Sequence, residues 1–416
     1  MKPFTDPHLI LRQTKLVDHF LEIVQVNTQS DDTTGAWPST PGQLDLLKRL
    51  QEKLAALGCQ DIALDENGYL FATFAGNAPQ APVIGLLAHV DTAPDFSGQG
   101  VKPVVHRKYD GGPIKLADNV TITPEESPEL RQCIGDEIIT ADGTTLLGAD
   151  DKAGVAAVLA TLEALRADKS IRYPTLRIAF TPDEEIGNGP ARFDVKRFNA
   201  TAAYTVDGGW LGEVNAETFS ADGAKVTFKG VAVHPGYAKD KMVNALRFAG
   251  RFLDQLPKNE SPERTEKRQG FYHPTKIDGN AAEATVHLIL REFDTGELQA
   301  RGERLRQLVA AIAKEEPRLQ VNVEIKEQYR NMAQWLRDQP DIADRLQQAV
   351  RDAGCAPDLI PVRGGTDGSG LTAMGLPTPN VFTGGMNYHG PREWISTRVM
   401  ALAVCTLLNL VQRWAE

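Results

Sequence analysis

An almost unbroken apolar run, Val83-Ile84-Gly85-Leu86-Leu87-Ala88, leads into His89-Val90-Asp91. A run this apolar, without polar alternation, reads as a strand covered on both faces, the kind found in parallel sheets. His89 and Asp91 lie two residues apart, so along an extended chain they project to the same side. A histidine and a carboxylate side by side at the end of a buried strand suit a metal site. Alone, the triplet is more often a satisfied core histidine near a chance aspartate. Its weight comes from four later polar clusters that repeat the placement.

The rest of the chain supplies the partners such a strand needs. Leu9, Val17, Phe20, Leu21 and Val24 have helical spacing over residues 9–26. Gln43–Leu57 reads as a second helix, closed by Gly58. Residues 62–74 read as a hairpin turning at Glu66-Asn67-Gly68. Val155, Val158, Leu159, Leu162 and Leu165 line one face of a helix to Ala167, and Leu176–Thr181 and Ala202–Val206 are further apolar strands. Strand, helix, strand in this order implies right-handed crossovers and a mainly parallel sheet flanked by helices. Residues 93–137, rich in Pro, Gly, Asp and Glu, read as a long excursion carrying function or minor structure.

The texture changes near Glu217. Ala224–Phe228, Ala284–Arg291 and Val321–Lys326 alternate polar and apolar residues, which implies a sheet with one solvated face. Amphipathic segments at 242–256 and 295–313 lie between them. They predict a small α+β domain, 218–330, inserted into an α/β domain formed by 1–217 and 331–416. After Gln334 the α/β pattern resumes with a helix to about Ala353, a strand at 379–383 and a C-terminal helix from Ser396.

Composition narrows the function. With 416 residues the chain exceeds one ordinary core. The 55 acidic and 45 basic residues give a net charge of −10, and no basic block occurs, which argues against nucleic acid or an anionic membrane as partner. No apolar stretch approaches the roughly 20 residues that span a bilayer, and the start Met1-Lys2-Pro3-Phe4 lacks a signal core. Cys59, Cys133, Cys355 and Cys405 form no CxxC pair, as expected of reduced thiols in a cytoplasm.

Five clusters follow predicted strands: His89-Val90-Asp91, Gly148-Ala149-Asp150-Asp151-Lys152, Pro182-Asp183-Glu184-Glu185, Val206-Asp207-Gly208 and Asn387-Tyr388-His389. In open α/β sheets the binding crevice lies beyond the carboxyl ends of the strands. Each cluster has an ordinary reading. Asp150 could be a helix-start carboxylate, residues 182–185 a solvated acidic turn, Asp207 a turn residue and His389 a loop histidine. Together they would concentrate negative charge on one rim, which divalent cations neutralise. Imidazole and carboxylate without thiolate suit zinc, cobalt or manganese. The ligand count exceeds one catalytic ion and points to two, about 3.5–4 Å apart and bridged by a carboxylate. No HExxH, GxSxG or Cys/His pairing occurs. His234-Pro235-Gly236 reads as an inert loop, Arg291 as an edge-strand charge, and Gly364-Gly365-Thr366-Asp367-Gly368 as a tight turn.

Taken together, these motifs resemble the M20 family of dinuclear zinc peptidases, and among them the tripeptide aminopeptidases. The likeness rests on Ser39-Thr40-Pro41-Gly42-Gln43, His89-Val90-Asp91-Thr92, Leu147-Gly148-Ala149-Asp150-Asp151-Lys152-Ala153-Gly154 and Thr181-Pro182-Asp183-Glu184-Glu185. It continues through Val206-Asp207-Gly208-Gly209, His234-Pro235-Gly236, Arg363-Gly364-Gly365-Thr366-Asp367 and Asn387-Tyr388-His389-Gly390. The resemblance implies two Zn2+ per subunit, with Co2+ or Mn2+ as substitutes. His89, Asp150 and Asp207 would hold one ion; Asp150, Glu185 and His389 would hold the other. It implies Glu184 as general base, Asp91 as hydrogen-bond partner of His89, and His234 as oxyanion donor across a homodimer interface. Arg291, and less directly Arg363, would receive the peptide carboxylate. The inserted domain would be a lid and dimerisation domain, and the substrates short peptides with a free N-terminus. The 106–132 excursion matches nothing in that pattern. Rival readings are a related amidohydrolase acting on dipeptides or N-acyl amino acids, and a non-enzymatic scaffold, which would be expected to have lost ligands.

Overall fold

The computed structural model describes residues 3–117 and 119–416. The reading of the Met1-Lys2 start, and of Asp118 within the excursion, falls outside them. The chain divides into two compact units. One comprises Met1–Ala216, Trp335–Ile360 and Thr366–Glu416; the other comprises Glu217–Gln334 and Pro361–Gly365.

The first unit is built on an eight-stranded sheet. Its order is Gln60–Leu64, Leu70–Phe74, Leu176–Thr181, Ile84–His89, Ala202–Gly208, Asn380–Phe382, Glu213–Asn215 and Asp358–Leu359. Ile84–His89 pairs in parallel with both Leu176–Thr181 and Ala202–Gly208, and the latter pairs in parallel with Asn380–Phe382. All six residues of Ile84–His89 are buried, as a two-faced apolar run requires. The hairpin at 60–74 adds two antiparallel strands at one edge.

The helix Ala149–Ala167 packs on this sheet through Val155, Val158, Leu159 and Leu162, all fully buried. It also packs against Leu16–Ile23 and the C-terminal helix Thr397–Trp414. Gly154 shows how close the helix lies to the sheet: a Cβ there would stand 1.9 Å from the Val206 carbonyl oxygen. Only glycine permits that approach, and it brings the start of the helix beside the strand carrying Asp207.

Several local expectations are revised. Residues 9–26 form two helices, Pro7–Gln13 and Leu16–Ile23, rather than one. The helix expected after Gln334 is likewise split into Ala333–Leu336 and Pro340–Asp352, the second opening on a proline at a position where its missing N–H costs nothing. The segment expected to be a tight turn at 364–368 instead starts a helix, Asp367–Ala373, with a reciprocal cap between Thr366 and Ser369. The excursion holds short strands at Val104–His106, Ile114–Lys115 and Thr121–Ile122, and a 3-10 turn at Pro128–Cys133. Val104–His106 joins Ile138–Thr140, Trp394–Ser396 and Gly385–Met386 in a second sheet.

The second unit is a four-stranded antiparallel sheet, ordered Phe271–Gly279, Glu283–Glu292, Ser220–Lys229 and Gln320–Tyr329. Helices Ala245–Gln255 and Thr295–Ala313 cover one face, where Val226, Phe228, Val286, Leu288 and Leu290 are buried. Phe271–Gly279 has no counterpart in the sequence reading. Its Pro274 and exposed Lys276 and Asp278 conceal an edge strand, the place where a proline and charges are tolerated.

Candidate metal centre

The carboxyl ends of the parallel strands carry the polar clusters. His89 is the last residue of its strand, Asp207 lies near the end of Ala202–Gly208, and Asp183-Glu184-Glu185 follow Leu176–Thr181. Asp150 lies in non-helical backbone at the kink just ahead of the regular turns of the helix that returns from the rim. His389 sits in the loop between Gly385–Met386 and Trp394–Ser396, where Asn387 and His389 both take left-handed backbone conformations.

Asp150 stands between the two histidines. Its Oδ1 is 2.9 Å from His89 Nε2, and its Oδ2 is 3.6 Å from His389 Nε2. His89 Nε2 is also 3.6 Å from Asp207 Oδ1, and His389 Nε2 is 3.1 Å from Glu185 Oε2. Ligand atoms of His89, Asp150 and Glu185 converge within 4.8 Å, as do those of His89, Asp207 and Asp151. Asp151 has other work: one of its oxygens accepts from His89 N at 3.2 Å and the other from Gly154 N at 3.1 Å. It ties the strand end to the helix, and Asp150 remains the residue whose oxygens face both histidines.

Electrostatics distinguishes these carboxylates. Burial, then the Asp150 charge, pushes Glu185 up to about 8. Burial raises Asp207 to about 6. Burial acts on Asp150 in the same sense, but its bonds to His389 and His89 hold it well below the usual carboxylate range. Hydrogen bonds to Asp150 and Glu185 raise His389 to about 11. Such mutual distortion is what acidic groups suffer when buried together. Glu185 Oε1 is buried without a hydrogen-bond partner. A buried acceptor of that kind calls for a donor or a cation. Two imidazoles, three carboxylates and no thiolate therefore fit hard or borderline divalent cations.

Around this set runs a layer of backbone fastenings. Asp91 is fully buried; its carboxylate lies 3.3 Å from His89 Nδ1 and accepts from Glu184 N at 3.0 Å and Glu185 N at 3.1 Å. His89 Nδ1 also lies 3.1 Å from the Asp91 carbonyl oxygen, so one aspartate orients the histidine through backbone and side chain and carries the turn of both glutamates. Glu393, 1 % exposed, accepts from Leu147 N, Gly148 N and Asp150 N at 2.7, 2.8 and 3.1 Å. Sequence reasoning missed Glu393, because its partners lie more than 240 residues away and an acid beside an arginine carries no motif. Glu184 is part-exposed, and among the described residues no hydrogen bond reaches its carboxylate. Burial, then the Asp207 charge, raises it well above the usual glutamate range.

The remaining predicted residues lie in the second unit. His234 is exposed, its Nδ1 accepts from Gly236 N at 3.2 Å, and its ring lies 5.4 Å from that of Tyr237. Arg291 donates to Gln328 Oε1 at 2.9 Å and Leu290 O at 3.1 Å, with its guanidinium over the Tyr329 ring. Arg363 spends its donors on Lys267 O, Gln269 O and Thr265, and rests against Phe219 and Phe271.

Comparison with known proteins gives a consistent picture. Residues 140–413 match peptidase family M20/M25/M40. A peptidase T from Geobacillus sp. (strain WCH70) is 45% identical over 407 residues, covering 97% of this chain and 99% of the relative. One from Bacillus subtilis (strain 168) is 46% identical over 403 residues, covering 96% and 98%. Among solved structures, the Bacillus cereus aminopeptidase PepT shares the fold with a TM-score of 0.76 at 22% identity, covering 97% of this chain and 98% of that one. The Bacillus subtilis YXEP protein, described as a dinuclear metal binding peptidase from M20 family, gives 0.67 at 15% identity, covering 99% of each chain.

Proposed function

This chain belongs to peptidase family M20/M25/M40, and from that premise we propose that it is a dinuclear metallo-aminopeptidase releasing the N-terminal residue from short peptides, preferentially tripeptides. The observation that carries the reading is Asp150, whose two carboxylate oxygens each face a different histidine. His89, Asp150 and Asp207 would hold one cation; Asp150, Glu185 and His389 would hold the second. Zinc is the proposed metal, with cobalt or manganese as substitutes. A bound pair of such ions lowers the pKa of a water and polarises a carbonyl.

The chain's own residues carry the remaining steps. Glu184 accepts the proton of the attacking water and delivers it to the amine nitrogen of the departing fragment. Its unbonded carboxylate suits a group that must turn between two positions. Asp91 fixes the ring orientation of His89 by facing Nδ1 and holds the glutamate turn through two backbone N–H groups. We assign to His234 the stabilisation of the developing oxyanion, acting across a homodimer, and to Arg291 the peptide's terminal carboxylate, which a guanidinium binds in a forked manner. Arg363, with its donors already occupied, is the weaker candidate for that carboxylate. The second unit would serve as lid and dimerisation domain. Four unpaired thiols support a reducing, cytoplasmic setting, and among the described residues no helix is long and apolar enough to cross a membrane.

Substrate class is tested with metal-loaded protein and free di-, tri- and tetrapeptides beside an N-acetylated tripeptide, with products identified. Release of the first residue from the free tripeptide, and not from its acetylated form, is expected. Preference for the acylated substrate would instead favour an amidohydrolase acting on N-acyl amino acids.

A further inference from the structure

The stretch Ser39-Thr40-Pro41-Gly42-Gln43 has no part in the mechanism so far, yet it meets the catalytic turn directly. Asp183, immediately before Glu184, is fully buried and left-handed at φ 58°. Its carboxylate accepts from Ser39 Oγ at 2.5 Å, Ser39 N at 2.8 Å and Gln43 Nε2 at 2.7 Å. Its backbone N donates to Gln43 Oε1 at 3.1 Å, and its carbonyl accepts from Asn188 N at 2.9 Å. Ser39 and Gln43 are themselves buried, at 4% and 0% exposure. Ser39 Oγ also accepts from Asp31 N, and Thr40 Oγ1 donates to Gln29 O at 2.8 Å. Gly42 leaves no slack, since a Cβ there would lie 1.9 Å from Asn27 O.

We propose that Asp183, gripped by Ser39 and Gln43, is a positioning residue that sets where the Glu184 carboxylate stands relative to the reacting water. The inference rests on Glu184 being the base, as assigned above. Two clamps then bracket that residue. Asp91 takes the N–H groups of Glu184 and Glu185 from one side, and the Asp183 network fixes the preceding residue from the other. The Glu184 carbonyl accepts from Gly187 N at 2.7 Å, so its backbone is held throughout while its side chain stays free. A left-handed aspartate has several conformational alternatives once its side-chain bonds are cut. Displacement of a catalytic group by about 1 Å is enough to cost on the order of 100-fold in rate.

The test compares wild type with Ser39→Ala, which removes one oxygen, and with Gln43→Glu, which turns a donor toward Asp183 into an acceptor. Metal content, thermal midpoint, kcat and KM are measured on each. The expected result is a kcat lowered at least tenfold per metal-loaded chain, with KM within about twofold and two ions retained. A kcat within twofold of wild type, whatever the thermal midpoint, would reduce the network to a structural tether and overturn the proposal. Loss of metal that excess metal reverses along with activity would also overturn it, by moving the effect to ligation. Should Gln43→Glu fail to fold, Ser39→Ala decides alone. A Glu184→Gln control separates the layers: if it stays active, the assignment of the base fails, and if it is inactive while Ser39→Ala is not, only the present inference fails.

Discussion

At the scale of single residues, the centre is a set of acids whose burial is tolerable only with positive charge among them. Glu184→Ala should keep close to two ions per chain and lose roughly 100- to 10,000-fold in kcat, the range for a general base; elemental analysis beside steady-state kinetics checks both. A variant that loses its metal would make Glu184 a ligand. Asp150→Ala should lose both ions together, because its oxygens face both histidines. One tightly held ion in that variant would contradict bridging. The residues that gather at this rim were legible in the sequence as short polar bursts, most of them just past an apolar strand. Asp183, Asp367 and Glu393 were not singled out for what they do. Asp183 answers Ser39, Asp367 accepts from Thr181 Oγ1 at 2.6 Å, and Glu393 answers residues 147–150. Those contacts are made by tertiary folding between distant segments and leave no local pattern.

Among elements, the helix Ala149–Ala167 does most to position the centre. Asp150, in extended backbone at φ −83° and ψ 108°, leads into its regular turns, and its buried face packs on the sheet. Gly154→Ala should force helix and strand apart, since the Cβ would meet the Val206 backbone carbonyl as well as the Asp151 carboxylate. The expected destabilisation is about 1–3 kcal/mol, read by urea unfolding, with weakened metal retention in the folded fraction. Unchanged stability would mean that the helix slides without cost. The strongly periodic elements of the sheet were readable from apolar patterning. The edge strand Phe271–Gly279 was hidden by Pro274, and the helix Asp367–Ala373 by its glycines. In both cases packing partners override the local preference of the residues.

For the whole molecule, the lid and dimerisation role proposed for the second unit predicts cooperation between chains. If His234 acts across a dimer, mixing inactive His234→Ala with inactive Glu184→Ala should restore up to about half the activity per mixed dimer, one complete site in two. No recovery in a verified mixed dimer would place the action of His234 within its own chain, and a fully active His234→Ala would return it to an ordinary loop histidine, as its exposed setting alone would suggest. The two-part organisation follows from one physical change along the sequence, from doubly covered strands to strands with one solvated face. Beneath all of this lies the claim that a pair of divalent ions compensates the acidic rim and drives hydrolysis. It is tested most directly by titrating metal into chelator-treated protein while following tripeptide cleavage and the thermal midpoint together. Both should rise to a plateau at two ions per chain. Full cleavage by protein shown to be free of metal, or saturation at one ion, would contradict it.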